Sequence, residues 1–465
     1  MVGLAWAGVA AAQPYGIETR VENTSLLIDA LPGAEGEVTP VPQQLSDIPA
    51  LLAAGLGEDQ SAAGILPYRP STELWSDGTL KSRFMALPGL TQIGYRADKG
   101  WDFPNGTTLI KNFRLPLDFR DPEGSAQLIE TRLLVKLAGA WSGYTYEWNE
   151  EETDAVLVSN TGATRGFSLV DTAGKTFDYE WYYPSQLDCM RCHNAASNRV
   201  LGLNTAQMNH DFLYPSGVTD NQMRTFEHLG LFNAELPGAI DTLPASPDAK
   251  HDLDASLEDR TMAYFQANCS YCHRPGGSAP TSIDFRWGVA LEARNLLNVT
   301  PTISSMGVAD ALRVAPGDPD KSVTYLRIAS RGAHQMPPFA TSLVDTDAAA
   351  LVRQWIVATG DAVTVTTDVD GDHVISLDEL LRVIQFYNSF GLHCEVGTED
   401  GYAAGPGADV SCAPYDADYA PQDWVISIDE LLRVIQFYNS LSYRYCPTED
   451  TEDGFCPGAA SSGGG

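Results

Sequence analysis

The pentapeptide Cys269-Ser270-Tyr271-Cys272-His273 constrains this chain more than any other feature, because it dictates what the surrounding fold has to enclose. Two thiols three positions apart can lie on one side of a helical turn and bond the two vinyl carbons of one porphyrin, with the adjacent histidine under the iron. Cys-x-x-Cys-His is in this way the attachment signature of haem c. Met336-Pro337-Pro338 begins 63 residues after His273, and a thioether is a soft, neutral sixth ligand that raises the potential of haem iron. The two prolines fix φ and stiffen that loop. Upstream, Ser256 and Asp259 read as a capping box opening a helix with Leu257, Tyr264, Phe265 and Ala267. Downstream, Asp345 or Thr346 opens a second helix with Leu351, Val352, Trp355 and Ile356 on one face, stopped by Gly360. The spacing predicts a cytochrome c domain over 249–360, with haem bonded to Cys269 and Cys272, His273 as proximal ligand and Met336 as distal ligand. A disulfide or half of a zinc site is the competing reading of the two cysteines, but it leaves the histidine, the methionine and both helices to coincidence.

Cys189-Met190-Arg191-Cys192-His193 is a second complete copy, predicting a first haem region over 181–248 with Cys189 and Cys192 attached to haem and His193 proximal. Its sixth ligand is open. Met208 and His228 are the named candidates, His210 and Met223 also follow, and none is framed by proline as Met336 is. A five-coordinate iron would leave a position for a small molecule, which is the basis of an alternative reading as a peroxidase-like haem enzyme. Of the eight cysteines, the four outside these motifs are Cys394, Cys412, Cys446 and Cys456. They are expected to pair 394 with 412 and 446 with 456 in an oxidising compartment.

Residues 13–65 read as loop-rich with a short helix near Asp47 to Leu56. From 66 to 180, short β-type runs at Thr107–Ile110, Leu128–Val135, Ala140–Trp148 and Phe167–Val170, separated by Gly, Pro and Asp, predict a β-sandwich or open barrel. Trp75, Trp101, Trp141, Trp148 and Trp181 are expected in its core and rim. A helix capped by Asp220 is expected over 217–232, and the Pro-rich 236–248 marks a boundary.

One set of motifs carries a resemblance. Leu74-Trp75-Ser76-Asp77-Gly78 with Lys81 and Arg83, Trp101-Asp102-Phe103-Pro104-Asn105-Gly106, Glu130-Thr131-Arg132-Leu133 and Trp148-Asn149-Glu150-Glu151, then two haem motifs ending at Met336-Pro337-Pro338, resemble a family of secreted bacterial dihaem c-type cytochromes. The resemblance covers Ile48 to Gly360 and implies haem binding and electron transfer.

After a linker over 361–367 the chain repeats with a period of 51 residues. Ile375-Ser376-Leu377-Asp378-Glu379 returns as Ile426-Ser427-Ile428-Asp429-Glu430, each leading into Glu-Leu-Leu-Arg-Val-Ile-Gln-Phe-Tyr-Asn-Ser. Asp368, Asp370, Asp372, Val374 through its carbonyl, Ser376 and Glu379 stand at positions one, three, five, seven, nine and twelve of an EF-hand-like loop, an oxygen set suited to calcium. His373 occupies the sixth position, where that pattern has glycine. The second loop carries three extra residues, leaving Asp416, Asp418, Asp423, Val425, Ser427 and Glu430 as candidate calcium ligands. Two loop-helix units over 368–458 look like a dockerin, a module that docks onto a cohesin-like partner. Residues 459–465 read as a flexible tail.

A net charge of -32 repels nucleic acid and anionic membranes alike and suits a basic redox partner protein. No apolar run reaches the 18 residues of a transmembrane span. Met1 to Ala12 resembles the tail of a truncated secretory signal, and haem attachment takes place beyond the bacterial inner membrane, so the expected location is periplasmic or extracellular. The expected architecture is multidomain: a β-sandwich-like domain, a mainly α-helical region with two haems, and small EF-hand/dockerin-like repeats. The leading reading is an electron carrier holding two haem c groups and calcium, with a surface attachment protein as a third alternative.

Overall fold

The computed structural model describes residues 13–26, 41–339, 341–361, 365–370, 374–445, 451 and 453–458. The Met1–Ala12 segment, the 459–465 tail, Asp372 and Cys446 lie outside them. The chain divides into two compact units, 1–290 with 336–348, and 291–335 with 349–465.

The first unit is built on a sheet. Helix α1 (Pro49–Leu56) precedes six antiparallel strands that follow one another in chain order: β1 (Ile65–Pro67), β2 (Leu80–Ala86), β3 (Thr108–Pro116), β4 (Ala126–Leu137), β5 (Ala140–Trp148) and β6 (Ala155–Leu157). The β-rich expectation holds, in the form of one meander and a separate two-stranded hairpin, β7 (Ala163–Val170) with β8 (Thr176–Tyr183). Alternation assigns the faces. Phe84, Ala86, Ile110, Leu133, Val135 and Tyr144 pack with Leu45, Leu51 and Ala54 around α1. Met85, Leu109 and Leu134, one residue out of step, pack with Trp101, Met208, Met223 and Phe226 on the other face. Buried polar groups on the α1 side are satisfied in a chain: Trp148 Nε1 donates to Thr131 Oγ1 (2.9 Å), Thr131 Oγ1 donates to Asn112 Oδ1 (2.8 Å), and Asn112 Nδ2 donates to the Ala54 carbonyl (2.8 Å). The register shifts between Phe113 and Arg114, and Phe113, Leu115 and Ile129, around that irregularity, share a core with Leu169, Tyr179, Trp181 and Tyr183 of the hairpin.

Beyond the sheet come α2 (Gln186–Cys192), α3 (Thr205–Met208), a short hairpin of β9 (Asp211–Leu213) and β10 (Thr219–Asn221), α4 (Gln222–His228) and α5 (Leu257–Asn268). α4 is shorter than 217–232 and is capped by Asn221, whose Oδ1 accepts from Met223 and Arg224. Asp220 instead accepts from Thr225 Oγ1 (2.6 Å) and pairs with Arg224 (2.5 Å).

In the second unit, α6 (Val323–Ile328) and α7 (Thr346–Asp361), whose first turn belongs to the first unit, precede the repeat. Gly360 lies so close to Gly317 that a Cβ there would come within 2.5 Å of its Cα. Each repeat is a loop, a helix and a hairpin: α8 (Leu377–Asn388) with β11 (Leu392–Cys394) and β12 (Tyr402–Ala404), then α9 (Ile428–Asn439) with β13 (Tyr443–Tyr445) and β14 (Phe455–Pro457). Val383 and Phe386 of the first helix and Val434 and Phe437 of the second meet in one core. Val365, inside the expected 361–367 linker, is buried in that core, and its backbone N–H is bonded to Tyr443 Oη (3.0 Å); the module begins before Asp368 because this apolar side chain closes it.

Candidate haem centre

The first motif rides on α2. Ser185 caps it reciprocally with Asp188: Asp188 N donates to Ser185 Oγ (3.2 Å), and Ser185 N donates to Asp188 Oδ2 (3.1 Å). α2 lies directly on β5, because Gly143 has no side chain; a Cβ there would stand 2.7 Å from Cys189 Cβ and 2.8 Å from its Sγ. The helix ends at His193, whose N–H donates to the Cys189 carbonyl (3.0 Å). His193 Nδ1 lies 2.6 Å from the Arg199 carbonyl, and Arg199 Nη1 returns a bond to the His193 carbonyl (3.1 Å). A carbonyl can only accept, so Nδ1 carries the proton and Nε2 keeps its lone pair, the tautomer a metal-binding imidazole needs. Burial, reinforced by Lys111 and Arg132, pushes this histidine down to about 4, so the ring is neutral around neutral pH.

The second motif begins as α5 ends. Ser256 Oγ accepts from Asp259 N (3.0 Å), and after Asn268 the chain tightens into a turn in which Cys272 N (3.2 Å) and His273 N (3.0 Å) both donate to the Cys269 carbonyl. The His273 ring meets Phe285 edge-on (5.4 Å), and Phe285 stacks at 4.4 Å on Phe265 of the entering helix. Gly277 folds back on the Cys272 carbonyl, where any Cβ would collide. Burial pushes Cys269 up to about 12.

All four motif cysteines are free thiols. Among the described residues they form no group of three or more ligand atoms within 4.8 Å of one another, and no disulfide joins Cys269 to Cys272. The donor set of each turn, two thiols and the imidazole that follows them, fits a haem c.

The two motifs abut. Asn194 Nδ2 donates to the Tyr271 carbonyl (2.9 Å), Arg274 Nη1 to the Ala196 carbonyl (3.2 Å), and Ser278 Oγ to the Arg191 carbonyl (3.4 Å). The nearness of the two thiols, with burial, pushes Cys192 well up, and Cys272, beside Cys192 and Arg191, is held down at about 6. The Arg191 guanidinium stacks 3.9 Å over Phe339, three residues past the half-buried Met336, which brings the end of the Met-Pro-Pro segment to the first motif.

The segment Leu74-Trp75-Ser76-Asp77-Gly78 joins two parts of the site. Asp77, in the left-handed region at φ 52°, accepts from Thr341 Oγ1 (2.5 Å), Ser342 N (3.0 Å) and Leu343 N (2.9 Å). Trp75 N donates to Asn268 Oδ1 (2.7 Å) and its Nε1 to the Leu343 carbonyl (2.9 Å). One turn therefore ties the end of α5 to the chain leaving the Met336 segment. Its neighbours Lys81 and Arg83, with Lys111 and Arg132, make a cationic patch on the sheet. Burial drives Lys81 down to about 8, and burial with the surrounding cations drives Lys111 well below the ordinary lysine range.

The other candidates are placed as follows. Met208 is fully buried in the sheet-face core, against which Met190 of the first motif packs. His228 is exposed; it stacks 3.6 Å from Tyr15, with Nε2 2.9 Å from the Glu18 carbonyl, and none of these contacts involves the first motif. His210 bonds to the Asp211 and Arg69 carbonyls (both 2.8 Å) and lines a polar cleft of 570 Å³ that contains no motif residue.

In the tail, Asp368, Asp370 and Glu379 bring carboxylate oxygens within 4.8 Å of one another. Ser376 and Glu379 also form the capping box of α8, and Glu379 Oε1 accepts from Val369 N (2.6 Å). Val374 is half-buried beside them. The second loop is arranged differently: Asp416 accepts from Thr366 N (2.8 Å), Asp418 from Asp423 N (2.9 Å), and Glu430 from Tyr419 and Ala420 N (both 2.8 Å) while capping α9 with Ser427. Its carboxylates are occupied by backbone donors, the exposed Val425 donates to Asp423 (3.1 Å), and they do not converge as a group of three. Cys394 is bonded to Cys412, and Cys456 is disulfide-bonded.

A capped helix running into a Cys-x-x-Cys-His turn with an aromatic wall defines the stretch from α5 onward as a c-type cytochrome domain, which implies covalently bound haem c and electron transfer. Residues 257–354 match the family model described as cytochrome c oxidase, cbb3-type, subunit III. No curated protein and no solved structure matches the chain. No helix among the described residues is long and apolar enough to cross a membrane.

Proposed function

We propose that the chain is a secreted dihaem c-type cytochrome that passes electrons between two haems held side by side. The observation that carries this is the direct contact of the two Cys-x-x-Cys-His segments through Asn194, Tyr271, Arg274 and Ala196. When bound, each haem supplies a one-electron iron couple. Cys189 and Cys192, and Cys269 and Cys272, hold the two groups; His193 and His273 present the proximal nitrogens; Met336 is the distal ligand of the second. The Arg199 carbonyl fixes the His193 tautomer, and Phe265 and Phe285 exclude water beside His273. Pyridine haemochrome analysis of the mature protein should return two haems per chain that resist acid-acetone extraction. A ratio of one refutes the reading, and loss of one haem from Cys189→Ala/Cys192→Ala supports it.

The tail reads as a calcium-dependent attachment module, on the convergence of Asp368, Asp370 and Glu379. A docking role is favoured by Leu377 and Leu381 (56% and 50% exposed) and their repeat equivalents Ile428 and Leu432 (51% and 53%), which offer a partner the same apolar pair twice. Immobilised tail should capture a cohesin-like domain in calcium and release it into chelator; no capture in calcium leaves the module a stiffened extension.

A further inference from the structure

Four cations stand together on one face of the sheet. Arg83 is register-paired with Lys111, and Lys111 with Arg132, so their side chains project from three adjacent strands side by side. Lys111 Nζ (4.7 Å) and the Arg132 guanidinium (4.3 Å) approach the same Phe113 ring, which is register-paired with Lys81. Like charges in such a row disfavour one another unless compensated. Compensation is partial. Glu73 pairs with Arg83 (3.0 Å) and Glu130 with Arg132 (2.5 Å); Lys81 Nζ donates to the Thr79 carbonyl (2.8 Å); Glu147, next along, is matched by Arg165 (3.6 Å). Among the described residues Lys111 makes no ion pair, and Nη1 of Arg83, a residue only 6% exposed, is buried with no hydrogen-bond partner. Four basic side chains against two carboxylates leave two whose protonated, positive form awaits an anion.

The row also has a place. Arg132 is register-paired with Thr145 of β5, two residues from Gly143, and Gly143 is where Cys189 rests on the same face. The uncompensated charge therefore lies beside the first Cys-x-x-Cys-His.

We propose that Lys81, Arg83, Lys111 and Arg132 form an oxyanion site that takes a pair of carboxylate-like charges next to the first haem; this rests on the reading that Cys189 and Cys192 carry haem. An arginine fork and two ammonium groups suit carboxylate oxygens. That chemistry has two sources, the propionates of the haem itself or a free small anion, and they separate by experiment. The test is a spectroelectrochemical titration of the full-length dihaem protein and of Lys111→Gln, which disturbs no ion pair, with Arg83→Gln as second variant and circular dichroism as the check of fold. Removing a cation here favours the ferric form, so the midpoint of one haem falls in both variants while the other stays. If propionates occupy the site, the wild-type midpoint does not respond to acetate or phosphate at constant ionic strength. If a free anion does, the wild type shows a saturable shift with acetate or phosphate that weakens tenfold or more in Lys111→Gln. Two haems per chain with both midpoints unchanged in the folded variants, and no anion response, overturn the site alone. A single haem per chain overturns the reading beneath it.

Discussion

Gly143 is what lets α2 sit on the sheet, since a Cβ would be 2.7 Å from that of Cys189. Gly143→Val should force the helix away and destabilise the fold by about 1–3 kcal/mol, the usual cost of overpacking. Thermal unfolding should show it, with incomplete haem loading at Cys189. Glu73 makes a second prediction. Burial alone would raise its carboxyl, but Arg83 and Lys81 overcome that and hold it down at about 2. A carboxylate depressed in the folded state stabilises above its unfolded value and loses that contribution as pH falls, here between roughly 4.5 and 2. With the side chain 31% exposed, the contribution at neutral pH is about 1–2 kcal/mol after allowing for screening. Glu73→Gln should be less stable at pH 7 by about that amount and flatter than the wild type between pH 5 and 2, read by denaturant unfolding at each pH.

In the tail each short helix depends on what surrounds its ends. The Cys394–Cys412 bridge closes a sequence separation of 18 residues, a loop for which cross-linking contributes about 3 kcal/mol. Cys394→Ala/Cys412→Ala should lower the module's unfolding free energy by about 2–4 kcal/mol, measured on the intact chain by tail-specific hydrogen exchange. In the first acidic loop, the clustered carboxylates of Asp368, Asp370 and Glu379 repel one another without a cation. Calcium that binds only the folded form stabilises it by about 2.7 kcal/mol at a hundredfold excess over Kd. Chelator should then speed proteolysis within 368–456, Asp368→Ala should do the same in the presence of calcium, and haem spectra should not change. Equal protease resistance with calcium and with chelator would mark the loop as an ordinary acidic turn. The second loop, whose carboxylates do not converge as a group of three, should respond less, so Asp418→Ala should leave calcium-dependent protection of 368–379 in place.

Across the whole molecule, the proposed dihaem reading together with the contact between the two motifs makes the haems an interacting pair. Oxidation of one should shift the potential of the other, seen as midpoints in Cys269→Ala/Cys272→Ala that differ from those fitted to the dihaem protein. Independent midpoints would argue against adjacency. Much of this was legible in the chain because it is written locally. Cys-x-x-Cys-His needs only one helical turn, the serine caps at Ser256, Ser376 and Ser427 act over three residues, and the repeated helices carry their apolar faces at their own period. Strands β3, β4 and β5 were readable from their composition, whereas the meander order was not, because alternation records which side of a strand is buried and says nothing of its neighbour. Asp220 was misread as a cap because Asn221, one residue on, has the same chemistry and only the fold chooses between them. Val365 looked like linker since its core partners are contributed by both repeats. What the amino-acid sequence determined alone is the chemistry of short range: two Cys-x-x-Cys-His turns, a methionine loop, oxygen-rich loops and helix ends. Tertiary structure alone decided that the two turns abut, that Asp77 ties the Met336 segment to α5, that Gly143 seats Cys189, and that Arg83, Lys111 and Arg132 line up beside it. Those are meetings of residues tens to hundreds of positions apart, and strand register and side-chain packing, to which no local pattern refers, bring them about.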